Sequence, residues 1–415
     1  MKRGIVHNDR TILKIVPSLR ARRLPDGRIV LTRKFIEGVN EFQRFWDGPV
    51  EVYMECSDDQ YDNLDELPSR PEDFPFRVHV LSLPQIARMI AGDRDAVVLL
   101  SLDDFRQSGL GKVCRENGVA CAYISEYSLA TRKRIVDIGT TNPVKRLRRK
   151  LWEVNQERKR RTAVASAAGL QCNGTPTYDD YLPLSENALL YFDTRVAPDL
   201  LATADDVRQR WAALNSGGPL RLLYSGRLVP AKGAHDLVDV AKRLCQRNVD
   251  FHLFICGDGE SAPGMSERIR REQLNERVTL TGVLDFKTEL LPFARSNIDL
   301  FVCCHPQGDP SCTYLETMSC GVPIAGYANE AFEGIVRHSE CGWTVAMNQP
   351  EALADKIADV GKSPDLLLSM SLASLAFARR HTFDQTFSRR VIHLRCLAER
   401  NARGYEEAKQ LVVRV

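Results

Sequence analysis

No apolar run in the sequence reaches the roughly 18 residues that a membrane-spanning helix needs, so nothing in it is expected to cross a bilayer. The first twenty residues, MKRGIVHNDRTILKIVPSLR, are polar where a signal peptide would carry an apolar stretch, and the expectation is a cytoplasmic chain. Paired cysteines are missing too. The 12 cysteines are scattered, with no CxxC pair and no metal-finger spacing, which argues against a zinc module or a disulfide framework. Several lie in apolar runs, where a thiol acts as a small hydrophobe in a reducing compartment. No finger, RNP or helix-turn-helix pattern occurs, so nucleic acid is not an expected partner.

What is present is the composition of a globular protein, 44% hydrophobic and 27% charged. At 415 residues the chain is too long for one ordinary core, which makes two α/β domains the natural arrangement. The formal charge of +3 is uneven. Residues 145–161, KRLRRKLWEVNQERKRR, hold nine basic and two acidic side chains, so the remainder is net acidic.

Short β-rich apolar runs at 12–17, 50–56, 77–81, 96–101 and 119–125 alternate with helical stretches at 34–46, 84–91 and 109–117. Alternation of this kind predicts parallel βαβ units. Residues 198–218 read as a connecting segment that closes on a turn. A second series follows, with strands at 221–225, 251–256, 278–281, 300–304 and 323–325 and helices at 234–247 and 266–274. The expected domains are 1–205, 206–382 and a helical segment 383–415 that packs back on the first domain. Two Rossmann-like domains in series place a cleft between the carboxyl ends of two parallel sheets, where such folds bind ligands.

Three features fall at strand ends of the second series. In LLYSGRLVPAKG, Arg227 and Lys232 stand five residues apart after Gly226. Two cations there suit a diphosphate, Arg as a planar fork and Lys as a compact charge; a solvated loop with two surface charges is the other reading. In FICGDGE, Gly257 and Gly259 let a ligand approach the backbone near Glu260, and a plain tight turn explains them equally. In HPQGDPSCTYLETMSCGVP, a Pro/Gly-rich loop through Gly308, Asp309 and Pro310 feeds a helix expected to begin near Ser311. Free N–H groups at Ser311, Cys312 and Thr313 would face the cleft and hold an anion. Glu316 is then placed to accept hydrogen bonds from ribose hydroxyls.

As a set, these loops resemble glycosyltransferase family four, the retaining enzymes of the GT-B fold. The matching residues are Gly226-Arg227, Lys232-Gly233, Gly257-x-Gly259, Glu316 and Cys320-Gly321-Val322-Pro323. The resemblance implies a GT-B architecture and a retaining transfer from a nucleotide-diphosphate sugar, UDP- or GDP-linked, with no cofactor and no metal. Arg227 and Lys232 would neutralise the leaving diphosphate in place of a divalent ion. One departure stands out. Eight residues before Glu316, where the family carries its first glutamate, this chain has Gly308, which leaves three readings: Asp309 beside it as a substitute shifted by one residue, backbone N–H groups in its place, or no acidic group there.

The resemblance makes the first domain the acceptor side, with a glycan or a lipid-linked molecule of the cell envelope as acceptor. Its motifs are weak: one glycine in residues 22–27, and Ser125-Glu126-Tyr127 where the family often has a histidine, with Glu126 placed to face the cleft or, as the preferred reading, a surface-loop carboxylate. The basic segment bears Leu147, Leu151 and Val154 at helical spacing beside Trp152. It fits a helix lying on an anionic membrane, which would make the chain peripheral at the inner face, or a helix whose apolar stripe packs on its own domain. Two other functions stay open: a non-catalytic sugar-nucleotide-binding subunit, which the loss at Gly308 allows, and a GT-B relative acting as a sugar-phosphate synthase or an epimerase.

Overall fold

The computed structural model describes residues 11–57 and 66–412. Residues 1–10, half of the polar stretch read as lacking a signal peptide, lie outside the described residues. Ten strands of the described residues build the first domain: β1 (Ile12–Val16), β2 (Arg22–Arg23), β3 (Ile29–Thr32), β4 (Val50–Met54), β5 (Glu66–Ser69), β6 (Arg77–Val80), β7 (Ala96–Ser101), β8 (Ala120–Ser125), β9 (Gly169–Asn173) and β10 (Ala188–Tyr191). Seven form a sheet in the order β10-β9-β8-β7-β1-β4-β6, every neighbouring pair parallel. β2, β3 and β5 make a small antiparallel sheet beside it. Burial explains the sequence of the central strand: β7, AVVLLS, is buried along its whole length, as a strand covered by helices on both faces must be.

The second domain carries β11 (Leu220–Ser225), β12 (Phe251–Cys256), β13 (Val278–Gly282), β14 (Leu300–Cys303), β15 (Ile324–Tyr327) and β16 (Trp343–Val345). They form a parallel sheet in the order β13-β12-β11-β14-β15-β16. In each sheet the winding reverses at one place: between β1 and β7 in the first, between β11 and β14 in the second. Chain segments leaving the carboxyl ends of such strands diverge to opposite faces and open a crevice.

The helix Phe383–Val412 crosses back and belongs physically to the first core, where Phe387, Val391, Leu394 and Leu397 pack with Phe42, Val52 and Leu99. The connecting segment expected over 198–218 is instead largely the helix Ala204–Asn215, started by a Thr203–Asp206 capping box. Its charged composition hid an inward face. Val207 is buried there, and the Arg210 guanidinium is spent on the carbonyls of Cys320 and Gly321 at 2.8 and 2.6 Å. No helix of the described residues is long and apolar enough to cross a membrane.

Candidate active site

The second crevice collects the sequence motifs. Lys232, at the end of the loop after β11, reaches Asp309 in the loop after β14 with Nζ–Oδ2 at 2.6 Å, both side chains largely buried. Burial works to raise the Asp309 pKa, but Lys232 and His305 beside it hold the carboxyl below its ordinary range. Burial and the Lys232 charge push His305 down to about 3, so it is a neutral imidazole at this spot. Arg227, in the loop between β11 and Lys232, is exposed and pairs with no carboxylate among the described residues.

Gly226, Gly257 and Gly259 all have positive φ, at 151°, 144° and 154°. A Cβ on Gly257 would collide with the Gly226 carbonyl oxygen, and one on Gly259 would meet the Leu228 carbonyl at 2.5 Å. The bare faces of Gly257 and Gly259 are filled by the neighbouring loop, so these two glycines let the β11 and β12 loops pack together, as the tight-turn reading has it, while Gly226 borders the Tyr224 ring. Glu260 beyond them is exposed.

The loop after β14 also corrects the sequence reading. Its helix runs Thr313–Ser319, and the Ser311 N–H is not free, since it donates to the Asp309 carbonyl at 2.8 Å. The amides of Cys312 and Thr313 head the helix with no side-chain cap. Pro310 packs on Gly174 of the first domain. The Cys312 thiol faces across the cleft, 2.9 Å from Lys34 Nζ and 3.3 Å from Asp193. Glu316, 8% exposed, is paired by Arg195 from the interdomain segment, Nε–Oε1 2.8 Å.

Gly308 sits under the carboxylate of Glu330, the first residue of the helix Glu330–Ser339. A Cβ there would lie 2.8 Å from Glu330 Oε2 and 3.2 Å from Thr131 Oγ1. Glu330 in turn pairs with Arg134 of the first domain at 3.2 Å. Asp309 turns its carboxylate onto Lys232, and the acidic group above Gly308 belongs to Glu330.

Glu126 is the second correction. It is no surface-loop carboxylate. It lies at the end of β8 on the rim of the first crevice, where burial first, then Asp103 and Asp193, push it up to about 7. Lys34 and Asp193 close at 2.5 Å beside it. Burial opposes the charge on Lys34, but Asp193 and Cys312 carry its pKa well above the usual value. The sequence held no local signal for Lys34 or Asp193, which are 159 residues apart.

Residues 206–374 match the family model described as Glycosyl transferases group 1. Among curated proteins, the alpha-D-kanosaminyltransferase of Streptomyces kanamyceticus is 26% identical over 145 residues, 35% of this chain and 37% of that protein. The 2-deoxystreptamine N-acetyl-D-glucosaminyltransferase of Niallia circulans is 26% identical over 157 residues, 38% of this chain and 40% of that protein. The match thus spans well under half the length of these relatives. Among solved structures, Anabaena Alr3699/HepE in complex with UDP superposes with a TM-score of 0.63 at 14% identity, covering 92% of this chain and 98% of that one. The resemblance read from the motifs is borne out over the second domain, and the likeness in structure establishes the GT-B fold of two Rossmann-like domains.

Proposed function

We propose that this chain is a glycosyltransferase that takes its sugar from a nucleoside-diphosphate donor bound in the second crevice. The observation that carries the reading is the meeting of Lys232, Asp309 and the uncapped helix start at Cys312 and Thr313 between β11 and β14, with Arg227 exposed in the loop before Lys232 and Glu316 in the helix. Crevices at such reversals hold ligands outside the strand ends. The group 1 match over this domain, and the sugar-transferring relatives it brings, support the same reading.

In the proposed reaction the diphosphate lies against Arg227 and Lys232, and Glu316 accepts hydrogen bonds from the ribose once Arg195 shares it. As the bond from the anomeric carbon to the phosphate oxygen breaks, its electron pair stays with the diphosphate, and the two cations offset the growing charge without a metal. The acceptor oxygen forms the new bond on the same face and passes its proton to a phosphate oxygen, which retains the anomeric configuration. UDP- or GDP-linked sugars are the proposed donors, with a glycan or lipid-linked acceptor.

The basic helix, Pro143–Ser166, supports work at a membrane surface. Leu147 and Leu151 of its apolar stripe are 60% and 62% exposed amid Lys and Arg, while Val154 is half-buried and Trp152 meets Phe105 edge-on at 5.1 Å. That combination matches an anionic bilayer face and is proposed to hold the chain there peripherally.

Incubating the full chain with UDP-, GDP- and ADP-sugars and following phosphorus resonances tests the enzyme reading. Release of a nucleoside diphosphate from one of them is expected. Donor binding without any release would instead favour a non-catalytic sugar-nucleotide subunit.

A further inference from the structure

A cavity of about 380 Å3 occupies the first crevice, between the carboxyl ends of β1, β7 and β8 and the C-terminal helix. That volume lies within the range of small-molecule sites. Most of its wall is apolar, including Leu19, Phe35, Phe42, Ile124 and Phe387. Its polar side is made by Lys34, Asp103, Glu126, Asp193 and Arg390. Lys34 and Asp193, both in this wall, also touch Cys312 of the donor loop, so the cavity adjoins the second crevice.

The charges around this wall are spoken for, with one exception. Asp193 is held by Lys34 at 2.5 Å. Asp103 accepts the amides of Glu126 and Tyr127 at 2.9 and 3.2 Å and faces Arg132 at 3.9 Å. Arg390 lies over the rings of Phe42, Tyr191 and Phe387 and donates to Gln171. Glu126 has one long contact from Asn173, at 3.4 Å, and no cation bonded to it among the described residues. Lys34 acts on it from a distance but is bonded to Asp193, so three carboxylates, Asp103, Glu126 and Asp193, share this wall and Glu126 has no ion pair of its own. A carboxylate placed so in a largely apolar enclosure is costly unless a ligand adds a cation.

We propose that this cavity binds the acceptor by its reacting end, and that the ligand it takes is compact, with an apolar body and a protonated amine that pairs with Glu126. The amine follows from the electrostatics. A neutral hydroxyl would serve a protonated carboxyl as well as an ionised one, whereas an ammonium gives Glu126 a cation of its own beside Asp103 and Asp193, with Lys34 already taken by Asp193. That the ligand is the acceptor rests on the glycosyltransferase reading; that the cavity takes an amine does not.

Two probes of one shape test it by calorimetric titration of the full chain: tyramine, which carries the amine, and tyrosol, its neutral alcohol counterpart. Tyramine should bind the more tightly at pH 8. Since Glu126 sits near 7 before binding, the carboxyl must lose its proton to pair, so tyramine affinity should fall about tenfold from pH 8 to pH 6. Among the neighbours, Asp103 is raised, Asp193 is lowered, and Lys34 and Tyr191 are raised well above their usual values. Glu126 is the group carried into this window, to about 7, and its own variant tests that. In Glu126→Gln, checked for folding by its melting curve, the preference for tyramine and the pH dependence should both vanish. Equal binding of the two probes, no binding of tyramine, or a pH dependence that survives in E126Q would each overturn the proposal. Titrating UDP and GDP alongside separates the two readings: loss of nucleotide binding with tyramine behaving as stated removes the donor reading and leaves the amine site.

Discussion

Replacing Glu126 with Gln should make the unliganded protein more stable at pH 8 and leave it unchanged at the acid end. In the folded chain this carboxyl is pushed from the ordinary 4.5 to about 7, first by burial and then by Asp103 and Asp193. A raised acid binds more protons folded than unfolded between those two values, so its contribution to stability is intact below pH 4.5 and is lost as pH climbs through 7. The gap corresponds to about 3 kcal/mol at pH 8, an upper bound because water in the cavity softens the penalty. Gln keeps the shape and the reach to Asn173 and carries no charge. For domains of this size the difference amounts to a rise in melting temperature on the order of 5–10 °C. Melting curves of both proteins by circular dichroism, from pH 4.5 to 8.5, give the comparison directly. The two should coincide at the acid end, separate between pH 4.5 and 7, and hold a nearly constant gap above that. A constant offset, or a wild-type chain that is the more stable at pH 8, would refute the reasoning. Stability held back at one residue in this way is the mark of a site kept for a ligand.

Gly257→Ala should cost at least about 3 kcal/mol in urea unfolding, because a Cβ there collides with the Gly226 carbonyl and φ is 144°; a loss under about 1 kcal/mol would show that the two loops are not locked. Lys232→Ala should cut nucleotide-sugar turnover by about a hundredfold or more and also destabilise the fold, since it leaves the Asp309 carboxylate buried without its cation. Adding Asp309→Asn should restore stability but not turnover, and recovery of turnover would contradict the role given to Lys232. Wild-type chain should sediment with anionic liposomes in low salt and be released in high salt, while Leu147→Ser with Leu151→Ser should weaken binding several-fold; no binding at low salt would end the membrane proposal.

Much of this was legible because the second domain writes its function locally. β11 and β12 run straight into the loops that carry Arg227, Lys232 and the glycines, and the loop after β14 leads into Glu316 within 13 residues. Short apolar strands ended by glycine need no tertiary information to be read. β9 and β10 were missed for the opposite reason. β9 is Gly-Leu-Gln-Cys-Asn, a sequence with no strand signature, and it is fully buried because Gln171 is satisfied by Arg390 from a helix over 200 residues later. Glu126 was misread in the same way: nothing near it in sequence says that Asp103, Asp193 and Lys34 fold around it. The charged face of residues 204–215 concealed a helix, because a buried Arg210 looks like a solvated one until its carbonyl partners are known. Local signals reveal a site built from successive loops and leave hidden a site built from distant ones.

The central claim is that the second crevice holds a nucleoside diphosphate by separate phosphate and ribose contacts. Calorimetric titration of UDP, GDP and inorganic pyrophosphate into wild-type, Lys232→Ala and Glu316→Gln proteins tests it most directly. The account predicts that one nucleotide binds the wild type, that Lys232→Ala weakens nucleotide and pyrophosphate together, and that Glu316→Gln weakens the nucleotide alone. No binding of either nucleotide, or an equal effect of Glu316→Gln on pyrophosphate, would contradict it.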